Sequence, residues 1–228
     1  MRILLATAVA IAPLMVAAGA QAEQVISNGR TTPISTSTAN NGARDDVRIA
    51  NGGSITVTSG AAVTLDSSNS VDLDAGSKID MLKAADGATG VLVNGGNTGN
   101  VTIGGAINIT DSVEEYKDGD LDGPFADGTG RYGVRVAGSS PLVGNITIEN
   151  SGSIRVEGNN SYGLSVEAPL TGNIISQGQI TAIGNNTYGV RTTGDVSGDV
   201  TLLGAVSAVG ENATGVAIDG AVGGGVKI

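Results

Sequence analysis

Cysteine, histidine and tryptophan are absent from this 228-residue sequence, and aromatic residues make up only 2% of it. Without cysteine, the chain forms no disulfide and has no thiolate nucleophile. Without histidine, it lacks imidazole bases and the usual zinc ligands. The sequence therefore excludes cysteine, histidine and zinc chemistry, and leaves carboxylates and arginines as its main reactive groups.

Positive charge is also scarce, with 12 basic against 22 acidic residues and a net charge of −10. No basic cluster offsets this excess, so nucleic acid and anionic lipid would be repelled. We therefore predict no nucleic-acid partner. The apolar residues are mainly Val, Ile, Leu and Ala, and 37 glycines accompany them. Small branched side chains with frequent glycine turns favour stacked strands over a helical bundle.

The first 22 residues have the composition of a secretory signal peptide. Arg2 precedes an apolar run from Ile3 to Ala18, and Ala20-Gln21-Ala22 forms a small-x-small cleavage pattern. The alternative is a membrane-spanning helix, but this run contains Pro13 and is shorter than the roughly 20 residues that such a helix needs. We predict that residues 1–22 are removed and that the mature chain is exported.

Three short motifs recur with one period along the second half of the chain. Their glycines are 26 residues apart in each case: Gly163, Gly189 and Gly215; Gly172, Gly198 and Gly224; Gly152, Gly178 and Gly204. Each motif alternates apolar and polar residues, as in a strand with one buried face. The buried positions predicted for one of these strands are Val101/Ile103, Ile146/Ile148, Val200/Leu202 and Val226/Ile228.

Three such strands per repeat predict an all-β fold, a parallel β-helix solenoid with three-strand coils. Right-handed winding is expected for parallel crossovers. The competing folds are a β-propeller and a leucine-rich repeat. Propeller blades have about 40 residues each, and the Leu/Asn consensus of leucine-rich repeats is absent here. About eight coils at roughly 4.8 Å each would form a rod of about 40 Å.

The repeat divides the mature chain into two parts. Residues 88–228 carry the markers, whereas residues 23–87 alternate without them and are predicted to form degenerate first coils. Within the latter, the Ser/Thr-rich lead from Ser27 to Ala43 is expected either to cap the open end or to be disordered. The sequence stops within the first strand of a coil, which predicts a fragment of a longer protein.

Several residues recur at one position of the repeat and receive structural interpretations. Asn160, Asn186 and Asn212 are predicted to adopt left-handed backbone at a turn and to form an amide ladder. Tyr162 and Tyr188 are predicted to stack, with Thr214 in the next coil. Arg135 and Arg191 are interpreted as solvent-facing.

An acidic insertion at residues 111–131 interrupts the repeat. Asp118, Asp120 and Asp122 alternate and precede Gly123, as in the first half of a calcium-binding loop. Together with Asp127 they are the predicted calcium ligands. The alternative is a solvated acidic loop, because Thr129 stands where a bidentate Glu belongs. No other cofactor is indicated.

Units such as Gly144-Asn145-Ile146-Thr147-Ile148 and Tyr132-Gly133-Val134-Arg135 resemble the passenger domains of bacterial autotransporters with a pertactin-like β-helix. The resemblance implies export, passage through an outer-membrane translocator barrel and display outside the cell. Such a barrel has about 12 strands, and the resemblance places it in a missing C-terminal part.

These features predict a surface rod that adheres to a surface or host ligand and is not an enzyme. Two alternatives stay open. The first is an enzyme that acts on polysaccharide, which should have carboxylates or aromatics clustered on one side across adjacent coils. The second is a calcium-stiffened secreted matrix protein, whose melting temperature should depend on calcium.

Overall fold

A computed structural model describes residues 23–111 and 125–228. The chain winds into a parallel β-solenoid of about seven turns, without an α-helix in the described part. The predicted fold class is thereby confirmed. The predicted signal peptide, residues 1–22, lies outside the described residues, as does most of the acidic insertion.

Three parallel sheets run along the solenoid, and strands are numbered along the chain. Sheet A consists of β1 (Glu23–Ile26), β4 (Asp46–Ile49), β7 (Val71–Leu73), β10 (Val101–Ile103), β14 (Ile146–Ile148), β18 (Ile174–Ser176), β21 (Val200–Leu202) and β24 (Val226–Lys227). Sheet B consists of β2 (Gly29–Arg30), β5 (Ser54–Thr56), β8 (Lys78–Met81), β11 (Ala106–Ile109), β15 (Ser153–Glu157), β19 (Gln179–Ile183) and β22 (Val206–Val209).

Sheet C consists of β3 (Ile34–Ser35), β6 (Ala61–Leu65), β9 (Thr89–Asn94), β12 (Tyr132–Ala137), β16 (Tyr162–Val166), β20 (Tyr188–Thr192) and β23 (Thr214–Ile218). Two short strands, β13 (Leu142–Val143) and β17 (Leu170–Thr171), pair at a corner between sheets C and A. Coils 1 to 7 are the successive A, B and C strands, so coil 6, for example, contains β18, β19 and β20.

Coil length explains why about seven turns form where the sequence predicted eight. The residues directly before successive A strands form hydrogen bonds to one another, and their separations give the coil lengths. These are 30 residues from Ser70 to Asn100, 45 from Asn100 to Asn145, 28 from Asn145 to Asn173 and 26 from Asn173 to Asp199. Only the last coils have the 26-residue period, whereas the acidic insertion lengthens coil 4. The longer coils reduce the number of turns that the chain can make.

Aliphatic side chains fill the interior because the inward positions of all three sheets alternate with polar outward ones. Val101, Ile103, Ile146, Ile148 and Val200 have no exposed surface, as their alternation predicted. The last predicted pair is wrong: Val226 is 52% exposed and Ile228 is 77% exposed. These residues follow coil 7 and lie at the edge of sheet A in the described part of the chain.

The lead from Ser27 to Ala43 forms part of coil 1 and is not disordered. It contains β2, β3 and a short 3-10 helix, Thr36–Thr38. Asp66 of coil 2 holds this helix: its Oδ1 accepts from the Ser37 backbone N–H at 2.8 Å, and its Oδ2 accepts from the Ser37 hydroxyl at 2.7 Å. Ile26 and Ile34 of coil 1 are buried in the aliphatic core.

Asn160, Asn186 and Asn212 have the predicted left-handed backbone, with φ of 49°, 55° and 56°. The amide ladder at this turn lies one residue earlier than predicted. The Asn159 side-chain oxygen accepts from the Asn185 backbone N–H at 2.8 Å, and that of Asn185 accepts from the Glu211 N–H at 2.9 Å. The left-handed residue turns the chain, and its predecessor connects the coils.

Candidate functional site

Arg131 anchors the end of the acidic insertion inside the solenoid. Its backbone lies in coil 4 directly before β12, and its side chain is buried. One terminal nitrogen donates to the Glu157 carbonyl of coil 5 at 2.7 Å, and the other donates to the Ala84 carbonyl of coil 3. The guanidinium therefore joins three successive coils through their backbones.

Asp111 and Asp127 bring the two described ends of the insertion together at this arginine. The Asp111 carboxylate lies 3.5 Å from an Arg131 nitrogen and accepts the Asp127 backbone N–H at 2.8 Å. The Asp111 N–H donates to the Glu157 carboxylate at 3.0 Å. A pocket of about 320 Å³ beside this cluster is also lined by Lys83 and Asp86. The geometry fixes where the insertion leaves and rejoins the rod.

Of the four predicted calcium ligands, Asp118, Asp120 and Asp122 lie outside the described residues. Asp127 lies in the pocket at the base of the insertion. Among residues 23–111 and 125–228, no group of three or more acidic side chains is arranged to hold a metal ion. The calcium site thus stays a prediction of the sequence.

A second concave region, the Arg48 groove, crosses coils 1 to 5 on the outer side of sheet A. It has a volume of about 580 Å³ and is lined by Glu23, Arg48, Asn51, Asp72, Leu73, Asp74, Ala75, Thr102 and Glu149. Gly104 follows β10 beside the groove, where a Cβ would lie 2.5 Å from the Glu149 carboxylate and 3.0 Å from the Leu73 carbonyl oxygen.

Arg48 forms ion pairs with two of the four carboxylates in this groove and offsets one of their negative charges. Its guanidinium contacts Asp74 at 2.8 Å and Glu23 at 3.5 Å. The hydrogen bond to Asp74 and the charges of both carboxylates raise the pKa of Arg48. Asp72 and Glu149 form no ion pair with any residue that the structure describes, so they give the groove a net negative charge.

The outer face of sheet C carries a column of stacked tyrosines. The rings of Tyr132 and Tyr162 are 5.0 Å apart and nearly parallel, and those of Tyr162 and Tyr188 are 5.4 Å apart. The predicted Tyr162–Tyr188 stack is confirmed, with Thr214 beside Tyr188 in the next strand. Burial raises the pKa of Tyr132 above its ordinary value of 10.0.

Arg135 and Arg191 make specific contacts beside this column. Arg135 lies 4.3 Å from the centre of the Tyr132 ring and donates two hydrogen bonds of 2.9 Å to Glu167 of the next coil. Arg191 lies 4.6 Å from the Tyr188 ring and bonds Asp219 at 2.9 Å. Hydrogen bonds to these carboxylates raise the pKa of both arginines.

Sequence reasoning missed the roles of Arg131 and Arg48. Arg131 occupies an inward position that holds a small residue in other coils: Ala88, Ser161 and Thr187. An arginine at a position of otherwise small residues was the available signal. Arg48 and its partners belong to the part without repeat markers, although Arg48 and Asp74 are 26 residues apart, a separation equal to the repeat period.

No helix in the described residues is both long and apolar enough to span a membrane. Fold and surface together define a parallel β-solenoid with an acidic groove, an anchored acidic insertion and a tyrosine column. Comparison of the chain with protein-family models, with curated proteins and with solved structures finds no match.

Proposed function

We propose that this chain is the rod of an exported, autotransporter-type passenger with a structural and adhesive role. The stacked parallel coils carry the proposal. Each coil bonds its neighbours through in-register strands, as in the pairing of β18 with β21. An array of this kind grows in length while its cross-section stays constant, which suits a protein that holds binding groups away from a cell.

The surface features agree with an adhesive role. The acidic insertion leaves the rod at a corner where Arg131 fixes both of its described ends. The tyrosine column adds rings whose edges are partly exposed beside arginine–carboxylate pairs. Partly exposed tyrosine and arginine side chains are frequent in protein interfaces.

Export is tested by joining residues 1–228 to an outer-membrane translocator barrel in a bacterial host. Protease added to intact cells should remove the chain from the surface. The matched control lacks residues 1–22 and should stay inside the cell. If protease does not reach the full chain although the same barrel displays another passenger, export is refuted.

Adhesion needs a separate measurement on the same cells. Cells that display the chain should adhere to host cells or to a solid surface more strongly than cells that display the barrel alone. Deletion of residues 112–124 shows whether the insertion contributes. Equal adhesion with and without the chain would refute the adhesive role and leave a structural rod.

The Arg48 groove supports a second candidate function, an enzyme that acts on polysaccharide. It places Asp72 of coil 3 and Glu149 of coil 5 on one side of the rod, and carboxylates serve as acids and bases in glycoside cleavage. The test is release of new sugar ends from a panel of polysaccharides. Asp72→Asn and Glu149→Gln should abolish activity, and Asp127→Asn should not. Absence of activity on the whole panel would refute this function.

A calcium-stiffened matrix protein is the third candidate, which the acidic insertion supports. Its melting temperature should rise with calcium and fall with chelator. Asp120→Asn should remove the difference in melting temperature between calcium and chelator. The control variant Asp219→Asn, which lies in coil 7 outside the insertion, should keep it. A melting temperature independent of calcium would refute this candidate.

A further inference from the structure

The interior of coil 6 departs from the aliphatic composition of coil 5. Three inward residues of coil 6, one from each sheet, are Ser176, Ala182 and Thr192. Their register partners in coil 5 are Ile148, Val156 and Val166. Coil 6 is therefore both more polar and less filled by side-chain carbon at this level of the solenoid.

Two hydroxyl groups in this layer have no hydrogen-bond partner within the described residues: Ser176 Oγ and Thr192 Oγ1. Both residues are completely buried. Ser77 in coil 3 is the other buried residue of the described part with such a hydroxyl, and it stands alone in its coil. Coil 6 combines two of them in one interior.

Aliphatic neighbours prevent the adjacent coils from supplying partners to these hydroxyls. Ser176 lies between Ile148 and Leu202 in sheet A. Thr192 lies between Val166 and Ile218 in sheet C. Since the backbone groups of these strands pair with neighbouring coils, each hydroxyl faces an interior of carbon.

Thr187 is another buried hydroxyl residue of coil 6, and its hydroxyl has a hydrogen-bond partner within the protein. It is also completely buried, but its Oγ1 donates to the Gly184 carbonyl at 3.0 Å. A buried polar group without any partner destabilises a fold, and ordered water commonly provides the missing bond. The contrast indicates that Ser176 and Thr192 obtain their bonds from a molecule that enters the interior.

We propose that the interior of coil 6 is a binding site for ordered water, held by Ser176 Oγ and Thr192 Oγ1. Each hydroxyl donates one hydrogen bond and accepts two, so both can bind water in either orientation. Ser176 and Ala182 provide the room, because their side chains are shorter than those of Ile148 and Val156 in coil 5.

Oxygen-17 magnetic relaxation dispersion of the purified chain tests this site, since it measures the number of long-lived internal waters. The double variant S176A/T192V should lose dispersion amplitude equivalent to at least one water, whereas T187V should lose none. The two single variants, S176A and T192V, provide the same measurement if the double variant does not fold. An amplitude unchanged by removal of both hydroxyls would overturn the proposal.

Thermal stability provides a second readout that separates the two kinds of hydroxyl. T187V breaks a direct bond to a backbone carbonyl and should lower the melting temperature by roughly 2–4 °C. T192V removes a hydroxyl that bonds only water and should lower it by less. A decrease for T192V as large as that for T187V would indicate a direct protein partner for Thr192 and would also overturn the proposal.

Discussion

Replacement of Gly163 by alanine should destabilise the rod much more than the same replacement at Gly215. Both glycines precede the inward aliphatic residue of a C strand. A Cβ on Gly163 would overlap the Ile180 Cγ2 atom and lie 2.6 Å from the Gly189 carbonyl oxygen of the next coil. A Cβ on Gly215 meets no atom within 4 Å.

The magnitude follows from what must move to make room for the methyl group. Ile180 can change its side-chain conformation, but the Gly189 oxygen belongs to a backbone that pairs with the neighbouring coil. Overpacking of a rigid core costs about 1–3 kcal/mol, and the backbone contact places Gly163→Ala at the upper end, about 3 kcal/mol. At roughly 2–4 °C for each kcal/mol, the melting temperature should fall by about 6–12 °C. Gly215→Ala should gain about 0.4–1 kcal/mol from reduced freedom of the unfolded chain.

Thermal melting followed by circular dichroism measures both variants, and urea unfolding gives the free energies. The two chains differ only in which copy of the motif is changed, so composition and charge are matched. Two results would refute the reasoning. One is an unchanged melting temperature for Gly163→Ala, and the other is an equal loss for both variants, which would assign the effect to strand glycines in general.

Three further predictions concern the contacts described above. Arg131→Met removes a buried guanidinium that lies 3.5 Å from the Asp111 carboxylate and bonds two backbone carbonyls, and it should cost about 3–5 kcal/mol of unfolding free energy. Urea unfolding should show that adding Asp111→Asn restores part of this loss, and additive losses for the two substitutions would contradict the ion pair. Burial raises the pKa of Tyr132 above 10.0, so its contribution to stability is complete below that pH and is lost as the pH rises through the higher folded value. The unfolding free energy should therefore decrease less between about pH 9 and about pH 11 for Tyr132→Phe than for the parent chain. An equal decrease in both chains would contradict this prediction. Asn173→Ala removes the acceptor that lies 2.8 Å from the Asp199 backbone nitrogen. Hydrogen exchange at the Asp199 amide should become about 5–10-fold faster. Unchanged exchange would mean that the asparagine ladder does not protect this amide.

Much of the fold could be predicted from sequence because the repeat encodes the coil directly. Alternating residues such as Val101 and Ile103 face inward wherever coils exist on both sides. The same alternation was wrong for Val226 and Ile228, since burial there depends on a further coil and not on the strand itself. Local patterns specify which face turns inward, but stacking decides whether that face is covered.

The surface sites were less predictable, because they depend on pairs that are distant in sequence. Arg131 contacts the Ala84 carbonyl 47 residues away and the Glu157 carbonyl 26 residues away. The second separation is four residues shorter than the local coil, in which Tyr132 pairs with Tyr162, and the first includes the insertion, so neither has a counterpart in the repeat. The amide ladder was displaced by one residue for a different reason: Asn159 and Asn160 are adjacent asparagines, and sequence alone does not distinguish the turn-former from the ladder-former.

The stacked registers also determine which changes of chain length the molecule tolerates. The Asn173 side-chain oxygen accepts the Asp199 backbone N–H, and Asn100 makes the same contact to Asn145 across a coil of 45 residues. Additional residues are therefore accommodated at the corners between sheets and do not change this contact. A deletion of one complete coil would join two faces that already fit each other, whereas a loss of one residue within a strand would turn its aliphatic side chains outward. Duplication or loss of whole repeats in the gene would therefore lengthen or shorten this protein without the need to design a new core.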